Sequence, residues 1–278
     1  MKIIRFETQA GRILFGSDYD GKTASVIRGA PDTGFECTSE RKKVEKLLSP
    51  VVPPAILCIG LNYRLHAKET GLALPKQPVV FMKSPNAIIS YKDDIQIPIV
   101  CQQKPEVDYE AELGVIIGRA AKNVSEQDAL HHVFGYVGAN DISARRWQKH
   151  GGAGQWVRSK SFDTFCPTGP YILTADELDD PQDLSVESRL NGKIMQNSNT
   201  SDMIFPVATL IAYLSKSTTL MPGTLILTGT PEGVGFIRQP PVYLKAGDRL
   251  ETRIEHLGVL ENRITLEKKQ AVETDTTA

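Results

Sequence analysis

Three carboxylates in the middle of the chain have the types and positions of a metal site. Glu110 and Glu112 lie two residues apart, directly before the apolar run 113–117, so both project from one face of a predicted strand. Asp141 follows a second apolar stretch, residues 133–139. An exposed strand edge would tolerate such a pair, but a buried one needs a cation to offset its charge. Three oxygen ligands without a histidine suit Mg²⁺ or Mn²⁺ better than zinc, and Ca²⁺ is able to take the same ligands in a crystal.

His66 and Glu69 have the spacing of a general-base pair. They lie three residues apart in a predicted helix at 63–70, with Asn62 as its N-cap and Gly71 as its stop. At this spacing the carboxylate contacts the imidazole, orients it and raises its basicity. A solvated surface pair is the ordinary interpretation of an isolated His-x-x-Glu. The two residues therefore predict a catalytic pair only in combination with other site residues.

Short strands dominate the elements that must position these residues. Strands are predicted at 56–59, 79–83, 87–90, 113–117, 171–173, 184–190, 225–227 and 249–254. Helices are predicted at 39–48, 63–70, 126–134 and 207–216. We predict a β-rich α+β fold rather than an alternating βαβ fold.

The stiff connector Val51-Val52-Pro53-Pro54 is the predicted domain boundary, because each proline restricts its own backbone and that of the preceding residue. It separates a small, hairpin-rich N-terminal lobe, residues 1–50, from a catalytic domain at 51–266. A polar C-terminal tail is predicted at 267–278.

Composition excludes several other classes of protein. The 278 residues are 41% hydrophobic, enough for a substantial core, and the formal charge of −1 gives no general attraction to nucleic acid or to an anionic membrane. No run approaches the roughly 20 apolar residues of a membrane span, and charge interrupts the N-terminal sequence too early for a signal peptide. The four cysteines are far apart, which indicates reduced thiols rather than zinc ligands or disulfides. We therefore predict a cytoplasmic protein.

Five blocks in order resemble the fumarylacetoacetate hydrolase (FAH) superfamily across residues 56–264. The blocks are Gly60-Leu61-Asn62-Tyr63 with His66 and Glu69, Glu110-x-Glu112, Asn140-Asp141-Ile142-Ser143-Ala144-Arg145, Lys160-Ser161-Phe162-Asp163, and Leu227-Thr228-Gly229-Thr230-Pro231-x-Gly233-Val234-Gly235. The chain looks like the smaller acylpyruvase and oxaloacetate decarboxylase branch. This resemblance implies a rolled, mixed β-sheet core, a homodimer, and Mg²⁺ or Mn²⁺ held by Glu110, Glu112 and Asp141. It also favours the general-base interpretation of His66 and Glu69.

The resemblance implies roles for four further residues. Lys160, otherwise an ordinary surface lysine, matches the active-site lysine of the family and would hold a substrate carboxylate or an enolate oxygen opposite the metal. Arg145 and Gln148 would face the substrate from the loop 143–158, and Thr230 would offer its hydroxyl or backbone N–H to the same carboxylate. Basic and aromatic residues in that loop are also typical of nucleic-acid binding, but the segment is short and the chain is not basic.

The predicted function is divalent-metal-dependent C–C bond cleavage, by decarboxylation or hydrolysis, of a β-keto acid such as oxaloacetate or an acylpyruvate. Keto–enol tautomerisation, isomerisation or dehydration of a 2-keto acid ranks second. A non-catalytic binding protein on the same scaffold is the alternative from another class. A small polar pocket would favour oxaloacetate, and a long apolar one a larger acyl substrate.

Overall fold

The computed structural model describes residues 1–30, 34–149 and 154–269. The N-terminal part is an antiparallel meander of β1 (Lys2–Glu7), β2 (Ile13–Ser17), β3 (Thr23–Ala30) and β4 (Gly34–Lys43), with β5 (Lys46–Leu48) paired to β1. The helix predicted at 39–48 is wrong. Pairing of this segment with β3 and β1 satisfies its backbone groups in a sheet and overrides its local helical preference.

The rest of the chain adds fourteen strands and four short helices in the described residues. They are β6 (Ile56–Gly60), α1 (Arg64–Thr70), β7 (Val79–Lys83), β8 (Ile88–Ile89), β9 (Asp94–Ile97), β10 (Val107–Asp108), β11 (Ala111–Ile117), β12 (Val133–Asn140), β13 (Ser143–Ala144), α2 (Arg145–Gln148), α3 (Trp156–Lys160), β14 (Cys166–Thr174), β15 (Ser185–Leu190), β16 (Lys193–Asn199), α4 (Val207–Leu214), β17 (Leu225–Leu227), β18 (Arg249–Ile254) and β19 (Gly258–Leu266). The helix predicted at 126–134 is wrong, since the chain makes only a 3-10 turn at Ala129–His132 and then enters β12. Pairing of β12 with both β11 and β14 determines this outcome.

A large curled sheet forms the core, with the strand order β4-β3-β2-β1-β14-β12-β11-β17-β6-β7. The sheet is mixed, because β6 is parallel to β17 while β11, β12 and β14 pair antiparallel. The predicted rolled, mixed β-sheet core is therefore confirmed. Pairing of β1 with β14 joins the N-terminal strands to this sheet. The domain boundary at residue 51 stays a prediction, and residues 270–278 of the predicted tail lie outside the described residues.

A second sheet, in the order β16-β15-β18-β19-β9, contacts the first through β11, β12 and β14. Every residue of β11 is buried, and its alternate side chains enter two different hydrophobic clusters, Ile116 in one and Leu113 and Val115 in the other. Burial on both faces explains the unbroken apolar run of this strand. Within the described residues, no helix combines the length and the apolar character that crossing a membrane requires.

Candidate active site

The three predicted metal ligands converge where β11 begins and β12 ends. Glu112 lies in β11, Glu110 immediately precedes it, and Asp141 immediately follows β12. The antiparallel pairing of the strands places Glu112 opposite Ala139, and the backbone N–H of Asp141 donates to the carbonyl of Glu110 at 2.8 Å. One oxygen from each carboxylate lies within 4.8 Å of the others, and all three residues are buried. The structure therefore brings these residues together as a compact cluster of acidic oxygens.

Two buried lysines neutralise part of this cluster. Lys160, at the end of α3, places Nζ 2.7 Å from Glu110 Oε2 and 2.6 Å from Asp141 Oδ2. Lys83, at the end of β7, places Nζ 2.5 Å from the other oxygen of Asp141 and donates to the carbonyl of Ile142 at 3.2 Å. Lys83 is not among the site residues predicted from the sequence. The available signal was strand alternation, because Lys83 lies two residues after the buried Phe81 and shares its face.

Arg145 makes two hydrogen bonds and an ion pair through its guanidinium, and Nη2 has no hydrogen-bond geometry toward its ion-pair partner. Nε donates to Asp108 Oδ2 at 2.8 Å, Nη1 donates to Gln148 Oε1 at 2.9 Å, and Nη2 forms an ion pair with Glu110 Oε1 at 2.7 Å. The side chain is 5% exposed. Arg145 therefore holds Glu110 in place, and its contacts with Asp108 were not anticipated from the sequence.

One negative charge of the cluster is not balanced, because three cations, Lys83, Lys160 and Arg145, face four buried carboxylates when Asp108 is counted with Glu110, Glu112 and Asp141. Burial raises the pKa of Glu110, but the charges of Arg145 and Lys160 outweigh burial and hold this pKa well below the usual range. Burial lowers the pKa of Lys160, but the charges of Asp141 and Glu110 raise it by a larger amount. The net shift is upward, so Lys160 remains an ammonium ion. For Glu112, burial and the charges of Asp141 and Glu110 all act in one direction and raise its pKa well above the usual value.

The surroundings of Glu112 fit a bound divalent metal. Across residues 1–30, 34–149 and 154–269, no lysine, arginine or histidine forms an ion pair with Glu112, and its Oε2 accepts a hydrogen bond from the N–H of Gly229 at 2.8 Å. A cation beside Glu112 would supply the missing positive charge. The donor set consists of carboxylate oxygens, which suits Mg²⁺ or Mn²⁺.

His66 and Glu69 meet as the spacing predicted. His66 Nδ1 lies 2.7 Å from Glu69 Oε1, and the carboxylate also accepts the N–H of Gly233 at 3.0 and 2.9 Å. A carboxylate only accepts, so Nδ1 carries the proton in this hydrogen bond and Nε2 of the neutral ring keeps a free lone pair. His66 is 8% exposed, which differs from a solvated surface histidine.

Asn62 fixes the helix that carries this pair, though not as the predicted N-cap. The residue before α1 is Tyr63, whose side chain makes no capping bond. The Asn62 side chain instead donates to the carbonyls of Thr228 and Phe205, at 2.7 and 3.1 Å, and accepts from the N–H of Phe205. Gly71 does end the helix in the left-handed conformation, with φ of 68°.

Thr230 uses its hydroxyl within the protein. Its Oγ1 donates to the carbonyl of Ala111 at 3.0 Å and accepts from Gln196 Nε2 at 2.7 Å. Gln196, which the sequence analysis did not identify, also accepts the N–H of Ala111 at 3.0 Å. Together these two side chains tie the loop after β17 to the start of β11.

One cavity of about 350 Å³ joins these groups. Seven of the nine predicted site residues line it: His66, Glu110, Glu112, Arg145, Gln148, Lys160 and Thr230. Glu69 and Asp141 lie behind this lining and contact His66 and Lys160. Apolar side chains form another part of the wall, where Phe81 and Trp156 pack edge to face with ring centroids 5.4 Å apart. The cavity therefore combines a charged region with an apolar one.

Comparisons with known proteins match most of the length of the chain. Residues 55–265 match the family model for the C-terminal domain of fumarylacetoacetate (FAA) hydrolase. The chain is 50% identical over 228 residues to a fumarylacetoacetate hydrolase domain-containing protein 2 homolog from Dictyostelium discoideum, covering 79% of this chain and 74% of the relative. It is 47% identical over 219 residues to a mitochondrial oxaloacetate tautomerase from Xenopus laevis, covering 78% of this chain and 68% of the relative.

A solved structure is similar over nearly the whole chain. The 5-carboxymethyl-2-hydroxymuconate delta-isomerase from Mycobacterium smegmatis superposes with a TM-score of 0.84 at 34% identity, covering 96% of this chain and 100% of that one. The names of the Mycobacterium smegmatis enzyme and of the Xenopus relative both describe isomerisations. Because the Xenopus relative is described as mitochondrial, the cytoplasmic location stays a prediction for this chain.

Proposed function

This chain belongs to the fumarylacetoacetate hydrolase family, and on that premise we propose that it is a divalent-metal enzyme that interconverts the keto and enol forms of a short 2-keto acid such as oxaloacetate. The observation that carries the proposal is that a histidine–glutamate pair and a charge-unbalanced carboxylate cluster line or support the same cavity. From the sequence alone, C–C cleavage ranks first. The tautomerase and isomerase names of the relatives favour the second-ranked reaction.

The carboxylate cluster supports metal dependence. Glu110, Glu112 and Asp141 would hold the metal, since Lys160 and Lys83 pair with Glu110 and Asp141 and no cationic side chain of the described residues pairs with Glu112. A bound Mg²⁺ or Mn²⁺ would supply Lewis acidity at the keto oxygen of the substrate.

His66 would move the proton. With Nδ1 bonded to Glu69, the free Nε2 removes a proton from the carbon beside the keto group, and the resulting histidinium returns a proton to the enolate oxygen. The reverse sequence converts enol to keto acid, and the proton count balances in both directions. Lys160 stays positively charged and stabilises the enolate by its charge, not by donating a proton.

The apolar wall supports a reaction that consumes no water. Phe81, Trp156 and Phe236 line the same cavity as His66, and such side chains offer a nucleophilic water no hydrogen bonds. Hydrolytic cleavage needs a positioned water, whereas tautomerisation and decarboxylation do not. Decarboxylation of the same acid is the second candidate, because loss of carbon dioxide leaves a pyruvate enolate, whose negative oxygen the charge of Lys160 would stabilise in the same way.

The decisive experiment follows ketonisation of enol-oxaloacetate by its ultraviolet absorbance, and carbon dioxide release in parallel, with chelator-treated protein before and after addition of Mn²⁺. We expect metal-dependent ketonisation that exceeds carbon dioxide release. His66→Asn should lower kcat by about 100-fold or more. His256→Asn is the matched control, since His256 is exposed on a distant turn.

Ketonisation that never exceeds the uncatalysed rate would refute the proposal. Carbon dioxide release that is faster than ketonisation would establish the second candidate instead. We also propose the small keto acid as the partner, a homodimer as the assembly, and no nucleic-acid or membrane partner. Light scattering of the purified protein tests the assembly.

A further inference from the structure

Phe236 lies between two cations at the wall of the cavity. The guanidinium carbon of Arg145 is 4.5 Å from the centroid of its ring, and Lys149 Nζ is 3.6 Å from the same centroid. Asp108 fixes this arrangement, because Oδ2 accepts both the backbone N–H of Phe236, at 3.0 Å, and Nε of Arg145, at 2.8 Å. The ring and the guanidinium therefore share one buried anchor, and Lys149 packs on the ring.

Lys149 differs from the other cations around the cavity. Lys83, Lys160 and Arg145 each pair with buried carboxylates. Among the residues for which the structure gives positions, no carboxylate forms an ion pair with Lys149, although Lys149 lines the same cavity as Glu110. Burial and the charge of Arg145 lower the pKa of Lys149 from its usual value. A bound anion would offset both effects.

We propose that Lys149 binds the distal carboxylate of a dicarboxylic 2-keto acid whose keto and first carboxylate groups face the divalent metal that Glu110, Glu112 and Asp141 would hold. This inference rests on the proposed function and narrows its substrate class from 2-keto acids in general to those with a second acidic end. Arg145 already contacts three protein groups, because Nε and Nη1 donate to Asp108 and Gln148 and Nη2 forms an ion pair with Glu110. Among the described residues, Lys149 has no carboxylate in an ion pair, so its charge is the one left for a second substrate carboxylate. Phe236 gives the carbon chain between the two acidic ends an apolar surface.

The test compares Lys149→Met with the native protein, both loaded with Mn²⁺. Methionine keeps an unbranched apolar chain over Phe236 and removes the ammonium together with its contact to that ring. We expect the KM for oxaloacetate to rise about tenfold, which corresponds to about 1.4 kcal/mol, with kcat little changed. Hydrogen–deuterium exchange at the methyl carbon of pyruvate, which has no second carboxylate, should be unaffected. Lys149→Arg keeps the positive charge and should retain most of the native affinity for oxaloacetate. Lys193→Met, at an exposed position of β16, is the matched control.

Calorimetric binding separates this inference from the proposed function. Oxalate presents two adjacent carboxylates and no distal one, so its affinity should be the same for the native protein and for Lys149→Met, while oxaloacetate binds more weakly to the variant. That pattern would support the subsite even if the native protein turned over no keto acid. Equal losses for oxalate and oxaloacetate, or no loss for either, would overturn it.

Discussion

Replacing Lys83 by methionine should destabilise the protein by about 3 kcal/mol. The Lys83 side chain is fully buried, and its ammonium contacts Asp141 and the carbonyl of Ile142. Methionine fills a similar space but leaves the carbonyl without this donor and removes one cation from a buried carboxylate. Breaking a buried pair in this way costs about 3–5 kcal/mol. We expect the lower end, because Lys160 still contacts the other oxygen of Asp141.

Urea denaturation of chelator-treated protein measures this change in the free energy of unfolding. The control is Lys46→Met, since Lys46 pairs with Asp93 at 2.7 Å but is 52% exposed, and removing such a surface pair should cost less than about 1 kcal/mol. The double variant Lys83→Met with Asp141→Asn should be more stable than the sum of the single effects predicts, because neither partner is then left unpaired. Equal costs for the Lys83 and Lys46 variants, or additive costs in the double variant, would refute the reasoning.

Three further perturbations test other contacts of the site. Glu69→Gln should lower kcat about tenfold or more, because an amide no longer favours the tautomer of His66 that leaves Nε2 unprotonated. The affinity for Mn²⁺ should not change, and a loss of Mn²⁺ binding would contradict this prediction. Gly229→Ala should lower the free energy of unfolding by about 1–3 kcal/mol, since Gly229 has φ of 95° and a Cβ there would lie 2.7 Å from Asn62 Cβ; native stability in urea would contradict it. Burial raises the pKa of Glu232, so the folded state holds its proton more tightly than the unfolded state, and this contribution to stability disappears as pH rises through the folded pKa. Glutamine has no proton to lose, so the free energy of unfolding of Glu232→Gln, measured relative to that of the native protein, should be higher at pH 8 than at pH 4. The expected increase is up to about 1 kcal/mol after discounting for solvent screening. A difference between the two proteins that does not depend on pH would contradict this.

The sequence predicted the site residues that follow from local patterns. Glu110 and Glu112 stand beside an apolar run whose burial on both faces the sheet confirms, and the spacing of His66 and Glu69 suffices to bring them into contact. Lys83 was missed because its contact with Asp141 depends on the sequence-distant order β11-β17-β6-β7, which no local pattern specifies.

Local helical preference failed where long-range strand pairing decides the conformation. Residues 39–48 and 126–134 were both predicted as helices from their local sequence. In the structure the first segment completes β4 and β5, and the second leads into β12 between two partner strands. Backbone pairing with distant strands outweighs the small differences in intrinsic propensity. Asn62 shows the same limit, because its side chain bonds to the distant Thr228 and Phe205 rather than to its own helix.

We propose that Glu110, Glu112 and Asp141 form a divalent-metal site, and Mn²⁺ binding to chelator-treated protein, followed by electron paramagnetic resonance, is the test of this site. The native protein should bind a single Mn²⁺ per chain, and Glu112→Gln should weaken that binding at least about tenfold, because Glu112 is the carboxylate without a cationic partner in the described structure. Glu251→Gln, at a buried glutamate of the second sheet, should bind as the native protein does. Unchanged binding in Glu112→Gln, or no binding by the native protein, would contradict the claim.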